Sequence, residues 1–551
     1  MKRIHGRTRW GRLAAIFGAA AVTALQCLAV PAFAGFELPP GERITNLPAI
    51  PRNMPQKKAY ELYDPVIGRN FDIKNLWMRA DLRVRPEMRN NACFGLAQGA
   101  GGTCNSFGTR GTAAGGGNKG NDMFVQQWMR LGIGYDLSPD VNFYVEIIDS
   151  ANWGSNGAAT NAGNGGDPLN HNGASASGAG NGGRLGVRAA YMLIRNLADV
   201  QGLSVKIGRQ YVVFGNHSLF GHFDWANTGY SHDGVMFAYQ TKNWDSYFGW
   251  FRNSESDLGQ ASPVGSGAPN IAGSGAQDAN RDADMFIFYN QIKMVPGMVI
   301  EPFYVLYQNR YGSADFAGQG LGTAKHSNQT RHMVGNRIEM RKGGFDFSNE
   351  IAYQFGQMGQ AGACVGEQKC LHINAWATRN WIGYTFYDTA WKTRLAFNLD
   401  YASGDSRNNT CTNGSNCKTA NTFENFFPTN HIHMGYMDVQ AWKNMLSPSV
   451  NLQARPSARD HIELWYTNLN LANSKDCWYR AAQGCYVFSN ANNTKTHIGD
   501  EIDVSYTRMF ADGKVALQTT YGTIFSGGYL TSTLNQTQNQ HWAYMSLWMN
   551  F

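Results

Sequence analysis

Charged residues are scarce in this chain, at 16%. After residue 35 no stretch approaches the ~18–20 continuous apolar residues of a membrane-spanning helix, which excludes a helical bundle in a bilayer. Mean hydropathy is negative. A soluble secreted protein and a membrane β-barrel both satisfy that, because alternating strands hide from a hydropathy window. No C-x-x-C, no paired-histidine zinc spacing and no C-x-x-C-H haem attachment occurs. No Ser/His arrangement stands out for nucleophilic catalysis. The G-x-G-x-x-G at Gly115 to Gly120 precedes a strand rather than a helix, so no helix N-terminus receives a phosphate and the match is one of chance. Loop histidines His217, His222, His232, His431 and His433 read as hydrogen-bonding groups, although the last two would share a strand face. No enzyme, cofactor or metal is expected.

Net basicity is also missing once the N-terminus is set apart. Lys2, Arg3, Arg7, Arg9 and Arg12 form a basic region without acids, an apolar stretch runs from Leu13 to Val30, and Ala32-Phe33-Ala34 follows Pro31. This is a secretory signal peptide over 1–34, with Gly35 as the mature N-terminus. Cys27 is not a lipidation site, because Gln26 is too bulky for a lipobox. Subtracting the five basic residues lowers the net charge from +7 to +2. Nucleic-acid binding is disfavoured on that ground and by export. Residues 35–70 are Pro-rich, charged and without alternation. They read as a periplasmic tail, too short for the plug of an energised transporter.

Eight cysteines survive processing, in four close pairs: Cys93/Cys104, Cys364/Cys370, Cys411/Cys417 and Cys477/Cys485. Each pair lies in one local polar segment of an exported chain, which predicts four loop disulfides, with zinc as the competing use.

What the sequence does have is period-two alternation, many times over. In 76–88, Leu76, Met78, Ala80, Leu82, Val84, Pro86 and Met88 share one parity, and Arg79, Asp81, Arg83, Arg85 and Glu87 the other. Successive strand side chains point to opposite faces, so one face is apolar and the other charged. The pattern recurs in 123–137, in 185–193 with Leu185, Val187, Ala189, Tyr191 and Leu193 on the apolar side, and in 391–401 and 498–506, where Asp500 breaks parity near the rim. Greasy outside and wet inside is the arrangement of an outer-membrane barrel over 71–551.

Eighteen strands are predicted, at 76–88, 123–137, 141–148, 185–195, 203–212, 234–240, 244–252, 284–293, 298–308, 332–342, 345–355, 372–386, 391–402, 448–455, 460–469, 498–509, 513–523 and 541–551. Short turns such as Ser138-Pro139-Asp140 and Lys342-Gly343-Gly344 alternate with long polar loops, among them 149–183, 213–233 and 403–447. An even strand count puts both barrel ends on the short-turn side. The long loops are expected outside, with 149–183 and 403–447 as candidates to fold inward. The last segment sets Ala543, Met545, Leu547, Met549 and Phe551 on one parity, and a terminal aromatic there resembles the signal read by the barrel-assembly machinery.

The inward parity carries the informative chemistry. Arg79, Arg83, Arg85, Arg130, Arg184, Arg188 and Lys206 face Asp81, Glu87, Asp136 and Glu146 across the first five strands. Later strands add Arg337, Glu339, Arg341, Lys392, Arg394, Asp400, Glu501 and Asp503, nearly balanced. A guanidinium stays charged and presents a planar fork matched to carboxylates. A row of them favours anions over cations in a narrow wet lumen. The competing expectation is that these charges pair among themselves and only keep the lumen wet.

Three blocks carry a family resemblance: GRQYVVFGNHSLFGHFDWANTGYSHDGVMFAY at 208–239, RLGIGYDLSPDVNFYVEIIDSANWG at 131–154, and YASGD followed by FFPTNHIHMGYMDVQAW within 401–442. They resemble the alginate-export family of outer-membrane proteins. The resemblance implies an eighteen-stranded barrel whose arginine-rich constriction passes an acidic polysaccharide outward. No cargo contact is carried over from it; the arginines rest on parity. The expected partners are outer-membrane lipid, an anionic polysaccharide or small anions, and the assembly machinery at Phe551. Uptake of small anions and a surface adhesion role are the alternatives.

Overall fold

The computed structural model describes residues 73–91, 122–153, 185–225, 229–254, 283–309, 329–359, 370–405, 419–479, 485–487, 493–533 and 538–550. Its strands are β1 (Leu76–Asn90), β2 (Asp122–Asp136), β3 (Val141–Asn152), β4 (Leu185–Arg195), β5 (Leu203–Gln210), β6 (His232–Gln240) and β7 (Trp244–Ser254). There follow β8 (Ala283–Ile292), β9 (Met298–Asn309), β10 (Gln329–Lys342), β11 (Phe345–Gly359), β12 (Cys370–Thr385), β13 (Arg394–Ala402) and β14 (Thr419–Ala420). The last are β15 (Met445–Ser457), β16 (Asp460–Leu471), β17 (Trp478–Tyr479), β18 (Cys485–Val487), β19 (His497–Phe510), β20 (Val515–Ser526) and β21 (Gln540–Asn550).

Short β14, β17 and β18 belong to loops. The other eighteen pair antiparallel with their neighbours, and β1 pairs with β21, which closes the sheet into a barrel. Closure leaves no unpaired edge, the condition for crossing a bilayer with strands. Among the described residues no helix is long and apolar enough to cross a membrane.

Alternation decides which side each residue takes. On β1, Met78 and Met88 are exposed, whereas Asp81, Arg83, Arg85, Glu87 and Arg89 are buried. On β21, Met545 and Leu547 face out and Trp542, Tyr544, Ser546 and Trp548 face in. Phe551 lies outside the described residues. Asp500 does point outward, held by the Tyr466 hydroxyl at 2.8 Å and the Asn468 amide at 2.7 Å. Both ends of the barrel chain sit at the short-turn end, where Asp81 pairs with Asn550 and Leu76 with Tyr135.

Two departures from strict alternation change the expected face of named residues. The β3–β4 ladder slips between Glu146 and Ile147, which leaves Arg188 as the extra residue of a bulge. A bulge inverts parity beyond it. Ala189, Tyr191 and Leu193, expected on the lipid side, therefore turn inward: Tyr191 pairs with inward Tyr144, and Ala189 with Glu146. Second, β13 begins at Arg394 rather than at residue 391. Lys392 falls in the β12–β13 turn, exposed and at φ 44°, so strand parity does not assign it to the lumen wall.

Candidate functional site

The largest difference from expectation concerns the long loops. The β5–β6 loop, expected outside, packs its described residues inside the barrel, where the β13–β15 loop, within the inward candidate 403–447, joins it; the other inward candidate, 149–183, lies outside the described residues from 154 on. Leu219, Phe220, Phe223, Trp225 and Tyr230 of the first form one apolar cluster with Phe423, Phe426, Phe427, Met434, Met437 and Trp442 of the second. The two loops pair with each other: Gly221 N–H donates to the Phe427 carbonyl at 2.8 Å, Phe427 N–H to Leu219 at 3.0 Å, and Thr429 N–H to His217 at 2.9 Å. The His433 ring nitrogen Nε2 meets the Asn216 carbonyl at 2.7 Å. Backbone groups buried in this way need such partners.

This plug is tied to the wall on many strands. On the basic side, Arg83 of β1 donates to the carbonyls of Asp224 and Trp225 at 2.6 and 2.7 Å. Arg85 donates to the Trp225 carbonyl at 2.7 Å and to Glu87 at 2.6 Å. Arg130 of β2 and Arg188 of β4 meet the Asp224 carboxylate at 2.8 and 3.2 Å. Arg188 also donates to the His222 carbonyl and the Ser231 hydroxyl. The Trp225 indole takes the Arg85 guanidinium 3.5 Å from its centroid and stacks on the His431 ring, also at 3.5 Å and 4° from parallel. Burial alone would push the Asp224 carboxyl up, but Arg130, His222 and Arg188 outweigh it and hold that carboxyl well below the usual carboxylate range.

Across the lumen the wall is mixed. Arg379 of β12 pairs with Asp400 at 2.7 Å and donates to the His433 carbonyl at 2.8 Å. Glu501 and Asp503 of β19 accept the backbone N–H groups of Met437 and Tyr436 at 2.9 and 3.1 Å. Glu463 accepts the Tyr436 hydroxyl at 2.6 Å. Loop Lys443 pairs with loop Glu424 at 2.6 Å.

Arg79, Asp81, Arg83, Arg85, Glu87, Arg130, Glu146, Arg188 and Lys206 share the inward face of β1–β5, and Arg337, Arg341 and Arg394 that of later strands. Arg184 lies outside the described residues. The expected open wall is instead covered: Arg83 and Arg188 are 0% and 1% exposed. Internal pairing is extensive as well, with Arg337 bonded to Glu301 and Glu339, and Arg394 to Asp346 at 2.5 Å. Asp224, Trp225 and Arg379 are not among the expected residues. Arg379 obeys parity, but both faces of β12 carry apolar residues, so the sequence offers no inside.

His431 and His433 do not converge. His431 sits between Trp225 and Asp438, which approaches its Nδ1 at 3.1 Å, and His433 reaches the other loop. Burial, the largest cause for each, pushes both rings below the ordinary imidazole value. Among the described residues no group of three potential ligands can hold a metal ion.

Farther toward the long-loop end, Asp476 gathers three segments. It accepts Asp405 N–H at 2.8 Å, the Thr422 hydroxyl at 2.6 Å, Cys477 N–H at 2.7 Å and the Tyr479 hydroxyl at 3.1 Å. Burial pushes its carboxyl up from 3.8 to about 6. An acid raised in the packed state favours that state when protonated. The packing contribution is therefore full below 3.8 and is lost as pH climbs through about 6. Protection factors around 403–405 and 473–479, with the base-catalysed rise of intrinsic exchange divided out, should be lower near neutral pH than at about pH 4.5, by roughly twentyfold. Asp476→Asn should flatten that dependence; a slope equal to the native one would remove Asp476 as its cause.

Of the eight cysteines after residue 34, Cys477 alone has a described side chain, and it is fully buried. For Cys370 and Cys485 only the backbone is described; Cys93, Cys104, Cys364, Cys411 and Cys417 lie outside the described residues, as do 1–72 with the expected leader and tail.

Comparison with known proteins places residues 76–544 within a family model described as alginate export. A search of curated proteins finds no match. Among solved structures the barrel is similar to OccK8 (OprE) of Pseudomonas aeruginosa, at 9% identity and TM-score 0.48 over 87% of this chain and 98% of that one. It is similar to a BenF-like porin from Pseudomonas fluorescens Pf-5, at 13% identity and TM-score 0.46 over 87% and 99%. It is also similar to Pseudomonas aeruginosa OccK2 (OpdF) in complex with glucuronate, at 11% identity and TM-score 0.47 over 87% and 99%.

Proposed function

The chain belongs to the alginate-export family of bacterial outer-membrane channels, and on that premise we propose that it is a passive conduit for an acidic polysaccharide of the polyuronate class. The observation that carries this reading is the convergence of Arg83, Arg85, Arg130 and Arg188 on one loop segment. Two of the four hold a carboxylate, that of Asp224, and three of them hold backbone carbonyls beside it. A uronate presents the same chemistry, a carboxylate beside neutral oxygen acceptors. The wall acts by electrostatics and not by bond-making, so the reading is of a channel and not an enzyme.

In planar bilayers the protein should carry anion-selective current that oligouronates block from the short-turn side. Equal block by small carboxylates would favour the second reading, an anion uptake channel. That reading draws support from Asp224 itself, since a single carboxylate fits between Arg130 and Arg188. No current at all would oppose both and leave a surface structural role.

The leader over 1–34, the tail over 35–70, lipid around the apolar face, and assembly through Phe551 complete the proposal. So do the loop disulfides. Cys477 is fully buried, and Cys485 pairs with Tyr479 across β17 and β18, two residues along from Cys477. Mass spectrometry of the unreduced protein checks all four bridges.

A further inference from the structure

Below the arginine cluster, near the short-turn end, the lumen wall changes character. Trp77 of β1, Tyr144 of β3 and Tyr191 of β4 all face inward there. The strand between the first two is β2, and its inward positions at this level are Gly132 and Gly134. A Cβ on Gly134 would overlap the Trp77 indole, and one on Gly132 would overlap Tyr144. The glycines therefore let both rings lie down over β2. Their planes agree within 9° with centroids 5.4 Å apart, and Tyr191 lies 5.4 Å from Tyr144 with its ring tilted 46°. Tyr191 reaches this face because the bulge at Arg188 inverts parity.

Trp77 and Tyr191 remain half-buried, while Tyr144 between them is buried and the aromatics of the plug are closed off. The rings are also fixed. Trp77 Nε1 donates to Asp136 at 3.2 Å, and the Tyr144 hydroxyl donates to Glu146 at 2.6 Å. Cations border them: Lys206 Nζ lies 5.0 Å from the Tyr191 ring centroid, and the Arg79 stem meets a Gly132 Cβ position at 2.9 Å.

We propose that the half-buried Trp77 and Tyr191, braced by the buried Tyr144 between them, form a sugar-stacking platform that receives pyranose rings of the cargo before they meet the arginine cluster. A pyranose has an apolar C–H face and an equatorial rim of hydroxyl and, in a uronate, carboxylate oxygens. Two accessible aromatic faces bordered by Lys206 and Arg79 match both at once. Four arginines select for charge. The platform selects for a ring, and an acyclic polyanion gains nothing from it. This inference rests on the polyuronate reading, and the following experiment separates the two.

Residence times of single blocking events are measured in bilayers for an oligouronate and for polyglutamate, an acyclic polycarboxylate. The double variant Trp77→Leu/Tyr191→Leu keeps apolar bulk and removes stacking. It should shorten oligouronate residence about tenfold or more, leaving polyglutamate residence and the anion:cation permeability ratio as in the native protein. Trp77→Phe/Tyr191→Phe should restore most of the loss. Gly134→Ala, which places a methyl group on the indole, should reproduce part of it with both rings present. Heat-modifiable gel migration verifies that each barrel is folded. Equal change for both polyanions, or no change for either, overturns the platform while the conduit reading stands. Native protein that neither polyanion blocks overturns the polyuronate reading and the platform with it.

Discussion

Asp224→Asn is expected to raise single-channel conductance several-fold. The Asp224 carboxylate lies between Arg130 at 2.8 Å and Arg188 at 3.2 Å, with His222 3.6 Å away. Among the described residues of the plug, it is the carboxylate that meets the wall where Arg83 and Arg85 are also buried. Removing a single partner from a buried charge network costs about 3–5 kcal/mol, because the charges left behind are uncompensated. Water must then reach the guanidiniums, and it reaches them when the segment 222–225 withdraws. The stack of Trp225 on His431 and Arg85 opposes withdrawal, but each such contact is worth only about 0.5–2 kcal/mol.

The variant should therefore show higher conductance, stronger anion preference and faster proteolysis within 211–231, in an intact barrel. Conductance and proteolysis equal to those of the native protein would mean that the apolar cluster alone retains the plug. Acid should not imitate the substitution. A carboxyl held low keeps its stabilising charge above the unfolded value and loses it only as pH falls through its folded value, so mild acidification leaves the contact in place.

The second large effect is expected from Arg83→Glu/Arg85→Glu, which changes the local charge by four units beside Glu87 and Asp224. At ~4 Å, in water-like surroundings, each unit contributes about 1 kcal/mol. The anion:cation permeability ratio should fall well over tenfold and cross to cation preference. The same substitution removes the donors to the Asp224 and Trp225 carbonyls, so the plug should loosen as well. Arg83→Gln/Arg85→Gln separates the two effects, because glutamine keeps donors and loses charge. Reversal potentials in a salt gradient read selectivity, and noise and proteolysis read the plug. Native reversal potentials in the glutamate variant would take both arginines out of the conduction path.

The barrel was readable because its physics is local. The segment 76–88 carries alternating apolar and charged residues, and β1 presents those same two faces. The predicted 345–355 extends to Phe345–Gly359, and 203–212 shortens to Leu203–Gln210. Such shifts reflect where the ladder ends, which depends on the partner strand. Parity failed at Arg188, where one extra residue turned Tyr191 from lipid to lumen. A bulge is a property of two paired strands, and no feature of 185–195 alone marks it.

The plug is legible only in part, since 403–447 is a candidate to fold inward but 213–233 is not, and the reason is a different one. Segments 208–239 and 401–442 supplied the family resemblance, yet neither has a period that reports burial. Their partners stand far off in the chain: Asp224 with Arg83, Tyr436 with Glu463, His433 with Asn216. Composition and alternation by themselves determined that this chain makes a closed, two-faced cylinder with arginines on its inner side, because a strand's two faces are written in every second residue. Whether those arginines meet open water or a folded loop was decided only in three dimensions. Loop position follows from which buried charges and carbonyls satisfy one another across the lumen, and that sum has no local signature.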